Sequence, residues 1–309
     1  MRRALLLALA LAAPASAQRA AAPFSVAETG RGYGSLQDAV QAIGGGRGTI
    51  LIAPGTYREC AVQTDGMVTY KAVQPGTAVF ERETCEDKAA LVLRGRASIV
   101  DGLVFRGYSV NDGNGAGIRI ETGDLSVANA MFLDSQQGIL GGNPSAQRIT
   151  IDHSTFAGLG QCDESVNCSH AVYLINRGQV TITRSRFERG TGGHYVKLRV
   201  PSFTITGNSF DDSAGRGTNY MIDLSEGGTG TIAGNVFVQG AHKENASTLI
   251  AVAPEARTYP SNGLAIEYNT ATLAPGAPQG PAFVTDFSHA ALRLGANQLG
   301  PGIQPLVQR

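Results

Sequence analysis

The densest group of polar side chains that could do chemistry lies in three hexapeptides of similar pattern. The third and fifth residues of each are aliphatic, whereas the fourth residues are Tyr173, Lys197 and Asp223. Side chains alternate between two faces along a β-strand, so this pattern predicts a buried aliphatic face and an exposed polar ladder. Arg199, two residues after Lys197, is predicted on the same exposed face. The hexapeptides are HAVYLI (170–175), HYVKLR (194–199) and YMIDLS (220–225).

A cation, a base and a proton donor are the groups that β-elimination in an acidic polysaccharide requires. Such a lyase removes the proton beside a uronate carboxylate and expels the 4-linked sugar. The planar guanidinium of Arg199 can neutralise the carboxylate. Lys197 is disfavoured as the base because Asp223, expected on the next strand, would raise its pKa. We therefore predict that His194 or Tyr173 is the base and that Lys197 and Arg199 bind the acidic sugar.

Further polar residues flank the ladder. His170, His194 and Tyr220 begin their hexapeptides and should form a second column, although these residues could instead satisfy buried backbone groups in turns. Tyr173 or Tyr220 could donate the proton to the leaving group. An alternative for the whole group is a solvated face on which a salt bridge contributes little stability. The predicted substrate-binding residues are His170, Tyr220, Asp223, Glu226, His242 and Asn245.

A repeated pattern shows which elements must position the ladder. Two β-branched residues at i and i+2 are followed by small or polar residues and then by Phe, at intervals of 23 to 31 residues. Short alternating strands with a period near 25 predict an all-β solenoid with one coil per period and the Phe residues stacked inside. Helical repeats and propeller blades do not fit this period and pattern. The repeated Phe residues are Phe105, Phe132, Phe156, Phe187, Phe210 and Phe237.

One segment near the start has the pattern of a helix rather than a strand. Ser35 and Asp38 have the spacing of a capping box, and the apolar residues from Leu36 to Ile43 fall on one helical face before Gly44. A solenoid must cover its open apolar end, so we predict a helix that caps the first coil.

Four cysteines provide an independent test of the period. Cys60 and Cys85 are 25 residues apart, about one coil, which would bring them close enough for a disulfide. Cys162 and Cys168 lie in the longest interval between Phe residues, and their disulfide could pin a loop at the wall of a groove. A plain loop staple is an equally good interpretation of the second pair.

The N-terminal sequence resembles a known superfamily. TGRGYGSLQDAV (29–40) followed by GTILIAPGTYRE (48–59) is similar to the start of pectin-lyase-like proteins, particularly pectin methylesterases. This resemblance implies a single-stranded right-handed parallel β-helix and a carbohydrate ligand. Chondroitinase-like and alginate-lyase-like members use Lys and Arg on neighbouring coils, whereas Lys197 and Arg199 here share one strand. No enzyme family of the superfamily is matched closely enough to transfer its activity.

The first 17 residues are typical of a secretory signal. Arg2 and Arg3 precede a short apolar run that ends in Ala15-Ser16-Ala17. We therefore predict a signal peptide over residues 1–17, one β-helix domain over residues 18–309, and a periplasmic or extracellular location. Loss of Arg2 and Arg3 leaves 23 basic and 25 acidic residues, a net charge of −2, which disfavours nucleic acid as a partner. No later apolar run reaches the roughly 20 residues of a membrane span.

The sequence also leaves alternatives for the activity. It contains no phosphate-binding loop or dinucleotide fingerprint in the required context, so no cofactor is expected. Calcium stays open, because no clear cluster of carboxylates would bind it. A β-helix that binds a glycan or serves as a surface or export scaffold without cleavage is the first alternative. A glycoside hydrolase is the second, with Asp223 and Glu226 as the nearest carboxyl pair.

Overall fold

The computed structural model describes residues 22–143, 145–163 and 168–309. The predicted signal peptide, residues 1–17, lies outside them. The described chain forms a right-handed parallel β-helix of about nine turns, as predicted, with strands in three sheets of 12, 10 and 10 strands. Each turn contributes one short strand to each sheet.

The first sheet, here the long sheet, has 12 strands. Its strands alternate buried and partly exposed residues; Val180 and Ile182, for example, point into the core and Thr181 points out. Phe24–Val26 pairs antiparallel with two neighbours, which the sequence analysis did not anticipate. The strands are Phe24–Val26, Arg31–Tyr33, Arg47–Ile52, Met67–Ala72, Ala97–Asp101, Asp124–Ala128, Arg148–Asp152, Gln179–Thr183, Ser202–Thr206, Thr229–Ala233, Ala265–Glu267 and Arg293–Leu294.

The second sheet, here the Phe sheet, contains the repeated phenylalanines. Rings from Phe80 to Phe237 stack on one another with centroids 4.8–6.0 Å apart, so the predicted internal stack is confirmed. The strands are Gly55–Tyr57, Ala78–Glu81, Leu103–Arg106, Met131–Leu133, Thr155–Ala157, Arg186–Glu188, Ser209–Asp211, Val236–Gln239, Thr270–Leu273 and Gln298–Leu299.

An asparagine ladder, which the sequence analysis missed, runs beside the C-terminal part of the Phe sheet. The side-chain amide of each Asn donates to the amide oxygen of the next at 2.9–3.0 Å. The same amides also donate to backbone carbonyls. Buried polar groups need such partners, so the ladder keeps the turn before each strand in a fixed shape. Its members are Asn208, Asn235, Asn269 and Asn297.

The third sheet, here the groove sheet, carries the predicted ladder on its outer face. Its inner face buries aliphatic residues such as Leu174, Leu198 and Leu224. The strands are Ala61–Gln63, Ala89–Leu93, Ala116–Ile120, Gln137–Gly142, Val172–Ile175, Val196–Arg199, Ile222–Leu224, Thr248–Val252, Ala282–Asp286 and Gln304–Gln308.

A helix, Leu36–Ile43, covers the first coil as predicted. The Ser35 hydroxyl accepts a hydrogen bond from Asp38 N–H at 3.1 Å, and Leu36 N–H donates to the carboxylate of Glu59 at 3.1 Å. Leu36, Ala39 and Val40 are buried against the first coil. Within the described ranges no helix combines the length and the apolarity needed to cross a membrane.

Both predicted cysteine pairs form disulfides. Cys60 and Cys85 have Cα atoms 5.5 Å apart, and Cys162 and Cys168 have Cα atoms 4.2 Å apart. The first bridge therefore joins neighbouring coils, and the second closes a short loop, of which residues 164–167 lie outside the described chain.

Candidate functional site

The strand register brings the predicted ladder together. Tyr173 is paired with Lys197, and Lys197 with Asp223, on three successive strands of the groove sheet. Arg199 is paired with Ile175 and lies on the same outer face as Lys197. The alternation of the hexapeptides was therefore sufficient to align side chains about two dozen residues apart in sequence.

A groove of about 480 Å³ lies over this ladder. One end of the groove is lined by turn residues that precede the third strand of the groove sheet. The other end is lined by Glu255. Cys168 also lines the groove, and the adjacent Ser169 hydroxyl donates to the Gly113 carbonyl, so this end of the disulfide is part of the wall. The lining residues are Asp112, Asn114, Gln137, Cys168, His170, Tyr173, Lys197, Arg199 and Glu255.

Lys197 is held between two carboxylates. Its ammonium nitrogen lies 3.1 Å from Asp223 Oδ2 and 2.6 Å from Glu255 Oε1, and its side chain is 10% exposed. Burial lowers the pKa of Lys197, but Asp223 and Glu255 outweigh that effect and raise the pKa overall. Lys197 therefore stays protonated at neutral pH, as the sequence argument against a lysine base expected.

Arg199 ties the tyrosine to the acidic residues. Its Nε donates to the Tyr173 hydroxyl oxygen at 2.9 Å, and its terminal nitrogens donate to Glu226 at 2.8 Å and to Glu255. The guanidinium carbon also lies 5.9 Å from the centre of the Tyr173 ring. The permanent positive charge of Arg199 is thus held against the hydroxyl oxygen of Tyr173, which lines the groove.

Asp223 lies beneath the groove rather than in its lining. Its side chain is 2% exposed, and Oδ2 contacts Lys197, the Ser225 hydroxyl at 3.0 Å and His194 Nε2 at 3.2 Å. Asp223 therefore anchors Lys197 and His194 from below, whereas the sequence analysis placed it among the residues that touch the substrate.

The predicted second column exists as a stack of three rings. The His170 and His194 centroids are 4.9 Å apart, and His194 and Tyr220 are 5.3 Å apart. The backbone N–H of His194 donates to the ring nitrogen Nδ1 of His170 at 3.0 Å. A neutral His170 ring therefore carries its proton on Nε2. Burial lowers the pKa of both histidines, for His170 well below its usual value of 6.5.

His194 is poorly placed to act as a base. Its Nε2 faces Asp223 Oδ2, and its Nδ1 lies 3.3 Å from the carbonyl oxygen of Tyr220. A neutral ring donates from one nitrogen, and the lone pair on the other nitrogen then faces an oxygen of the protein rather than a substrate. Of the two predicted bases, only Tyr173 lines the groove.

The remaining predicted residues fall into two groups. Glu226 contacts Arg199, and Asn245 hydrogen-bonds to Tyr220, whose pKa burial raises. His242 is exposed in a turn where its carbonyl accepts from Gly217 N–H at 2.7 Å, and it does not line the groove.

Four lining residues escaped the sequence analysis because they lie in turns or at strand ends. Gln137 and Asn114 hydrogen-bond to each other at 2.8 Å at the end of the groove opposite Glu255, near Asp112. Glu255 follows the strand Thr248–Val252, in which Ala251 is paired with Asp223. An alanine at the ladder position gave no indication in the sequence that this strand borders the site.

The described residues do not fit a metal site. Ligand atoms of Cys162, Cys168 and Glu244 lie within 4.8 Å of one another, but the two sulfurs are joined in a disulfide and are not thiolates. The carboxylates of Asp223, Glu226 and Glu255 contact Lys197 or Arg199, which a calcium ion would have to displace.

Comparisons with known proteins leave the chemistry open. No protein-family model and no curated protein matches the chain. Among solved structures it is similar to the Streptococcus pneumoniae surface protein and adhesin PfbA, with a TM-score of 0.45 and 12% identity over 88% of this chain and 93% of that one. It is also similar to the A-module of the Azotobacter vinelandii mannuronan C-5 epimerase AlgE4, with a TM-score of 0.32 and 13% identity over 87% and 91% of the two chains. At these similarities neither protein indicates what this chain binds, and the pectin-lyase-like superfamily stays a prediction.

Proposed function

We propose that the groove binds a uronate-containing polysaccharide and cleaves it by β-elimination. The observation that carries this proposal is the Tyr173 hydroxyl in the groove, hydrogen-bonded to Arg199 beside the protonated Lys197. A base and two cations on one exposed face are the groups that elimination beside a carboxylate needs.

The reaction can be written with these residues alone. In this step the Tyr173 oxygen acts as the base and takes the proton from the carbon beside the uronate carboxylate, and the electrons of that C–H bond form the C4–C5 double bond. Lys197 and Arg199 stabilise the negative charge that develops on the carboxylate. The C4–O4 bond breaks, and the proton on Tyr173 passes to O4 of the departing sugar. Of the two candidate proton donors, the reaction uses Tyr173, because Tyr220 stacks on His194 and does not line the groove.

We also propose that the protein is exported to the periplasm or beyond. The two disulfides support this, because such bonds persist mainly in oxidising compartments. A cleavable segment at residues 1–17 would be seen by N-terminal sequencing of protein recovered from the periplasm or the medium.

The test of the activity uses purified protein and a panel of uronate polymers: polygalacturonate, alginate, chondroitin and glucuronan. Ultraviolet absorbance of the unsaturated product should rise with the wild type. Tyr173→Phe should lower kcat by about 100-fold or more, because it removes the proton acceptor and keeps the ring. Tyr268→Phe is the matched control, since Tyr268 is 68% exposed and should keep full activity.

Glycan binding without cleavage is the second candidate. It is favoured because three carboxylates already pair with Lys197 and Arg199. These carboxylates neutralise the two cations that would have to stabilise the charge of the elimination. The same panel separates the two functions: retained binding with no absorbance change on any polymer would leave only the binding function.

A glycoside hydrolase needs a carboxyl pair that reaches the sugar and a protonated member in that pair. Asp223 is 2% exposed beneath the groove, and Glu226 contacts Arg199 and does not line the groove, so the predicted pair is disfavoured. Although burial raises the pKa of Glu255, the hydrogen bond from Lys197 lowers it overall.

A further inference from the structure

The Glu255 carboxylate bridges the two cations of the groove. One oxygen accepts from Lys197 Nζ at 2.6 Å, and the other accepts from a terminal nitrogen of Arg199. A substrate carboxylate that used both cations would need this same position. The fold therefore already holds one carboxylate where the proposed reaction requires another.

Each cation keeps another acidic partner when Glu255 leaves. Lys197 retains Asp223, whose side chain is 2% exposed, and Arg199 retains Glu226, whose side chain is 23% exposed. Glu255 is the most exposed of the three carboxylates at 39%. Its departure therefore leaves neither cation unpaired, and exchange for a second carboxylate keeps the charge of the groove unchanged.

Side-chain rotation is enough to move Glu255 out of the way. The backbone N–H groups of Glu255 and Ala256 both donate to the Ser225 carbonyl, at 3.0 and 3.1 Å. These bonds anchor the turn on the groove sheet. The carboxylate can nevertheless swing into solvent, because rotamer changes of exposed side chains are fast and need no backbone movement.

We propose that Glu255 is an internal competitor that occupies the carboxylate subsite until a uronate replaces it. This inference rests on the proposed uronate substrate. A uronate carboxylate restores both charge-assisted hydrogen bonds that Glu255 gives up. A neutral sugar offers only hydroxyls in that position, so it cannot compensate for the displaced carboxylate. A neutral sugar therefore leaves Glu255 in place, and Glu255 lowers the affinity of acidic sugars alone.

The probes for the test are the monosaccharides galacturonate and galactose, titrated by NMR against the wild type and two variants. Glu255→Gln removes the negative charge that occupies the subsite. This variant should bind galacturonate at least tenfold more tightly than the wild type does, and its affinity for galactose should change less than twofold. Glu121→Gln is the matched control. Glu121 also bridges a Lys and an Arg, Lys88 at 2.8 Å and Arg94 at 2.6 Å, but does not line the groove, so galacturonate affinity should not change. Glu255→Ala repeats the measurement if the amide variant does not fold.

The outcomes separate this inference from the proposed function. Equal or weaker galacturonate binding by the Glu255 variants, with elimination still present in the wild type, overturns the competitor role and leaves the lyase. Tighter binding by the variants with no elimination on any polymer supports the subsite and overturns the lyase. No galacturonate binding by any of the proteins overturns the subsite, and it overturns the lyase as well only if no polymer of the panel is cleaved.

Discussion

Two Lys–Glu–Arg bridges on the outer face of the groove sheet differ mainly in burial. In the solvated bridge, Glu121 contacts Lys88 and Arg94, and Glu86 pairs with the same two cations. In the groove bridge, Glu255 plays the part of Glu121, and Asp223 and Glu226 each hold one cation. The residue types are the same, so their composition does not make one bridge a candidate site.

Burial of the lysine distinguishes them. The Lys88 side chain is 36% exposed, and the Lys197 side chain is 10% exposed above the buried Asp223. Exposed ion pairs contribute little to stability, whereas a charge buried with its partner becomes costly when the partner is removed. The groove bridge thus keeps Lys197 in a fixed position beside Tyr173, which is the condition for acting on a bound molecule.

The largest expected difference comes from removing each lysine. Lys197→Met leaves Asp223 buried without its cation and should lower the free energy of unfolding by about 3 kcal/mol. Lys88→Met should lower the free energy of unfolding by less than about 1 kcal/mol. Glu86 and Glu121 would still be paired with Arg94 and hydrated by solvent. Urea denaturation of both variants measures this difference. Equal losses would mean that burial does not distinguish the two bridges.

Acid should weaken the groove region and leave the solvated bridge unaffected. His170 and His194 have lowered pKa values because they are buried, so below pH 6.5 the unfolded chain binds protons that the folded chain does not. Stability should therefore fall as the pH drops from 6.5 to 5, and His170, whose pKa is lowered well below its usual value, should contribute the larger share. The solvated bridge adds little slope in this range, because Glu86 has a pKa of about 2 when folded and a carboxyl group of the unfolded chain is also mostly ionised above pH 5.

The variant His170→Asn identifies the source of that slope. The amide oxygen can still accept from His194 N–H, but the side chain does not titrate, so the slope between pH 5 and pH 6.5 should become shallower. His153→Asn is the control, because His153 is exposed and its loss should leave the slope unchanged. Urea midpoints at three pH values measure both.

The smallest effect is expected from salt on the solvated bridge. Glu121→Gln should lower stability by less than about 1 kcal/mol in dilute buffer, and 1 M NaCl should shrink that loss further because salt screens exposed charges. Thermal unfolding at two salt concentrations is the measurement. A loss that persists in 1 M NaCl would show that this bridge is also effectively buried.

Much of the architecture was predictable because it repeats. The period of the Phe residues predicted the coils and the internal stack, and the aliphatic alternation predicted the register of Tyr173, Lys197 and Asp223. The Cys60–Cys85 spacing predicted a bridge between neighbouring coils. Each of these features depends on strand geometry that is the same in every turn of the β-helix.

The site was less predictable because it depends on the turns. Sequence placed Asp223 on the outer face but could not show that it is covered, and it did not indicate Glu255 at all. The nitrogens of His194 looked available until their acceptors, Asp223 and the Tyr220 carbonyl, were located.

The amino-acid sequence by itself determined the coil, its stacked interior and the row of polar residues on one wall, because strand alternation and a regular period set them locally. Only the tertiary structure decided which of those residues face the groove and which carboxylates hold Lys197 and Arg199. The physical reason is that turns of variable length, with no common backbone geometry, bring Asp112 and Glu255 to the groove and so decide burial and charge pairing.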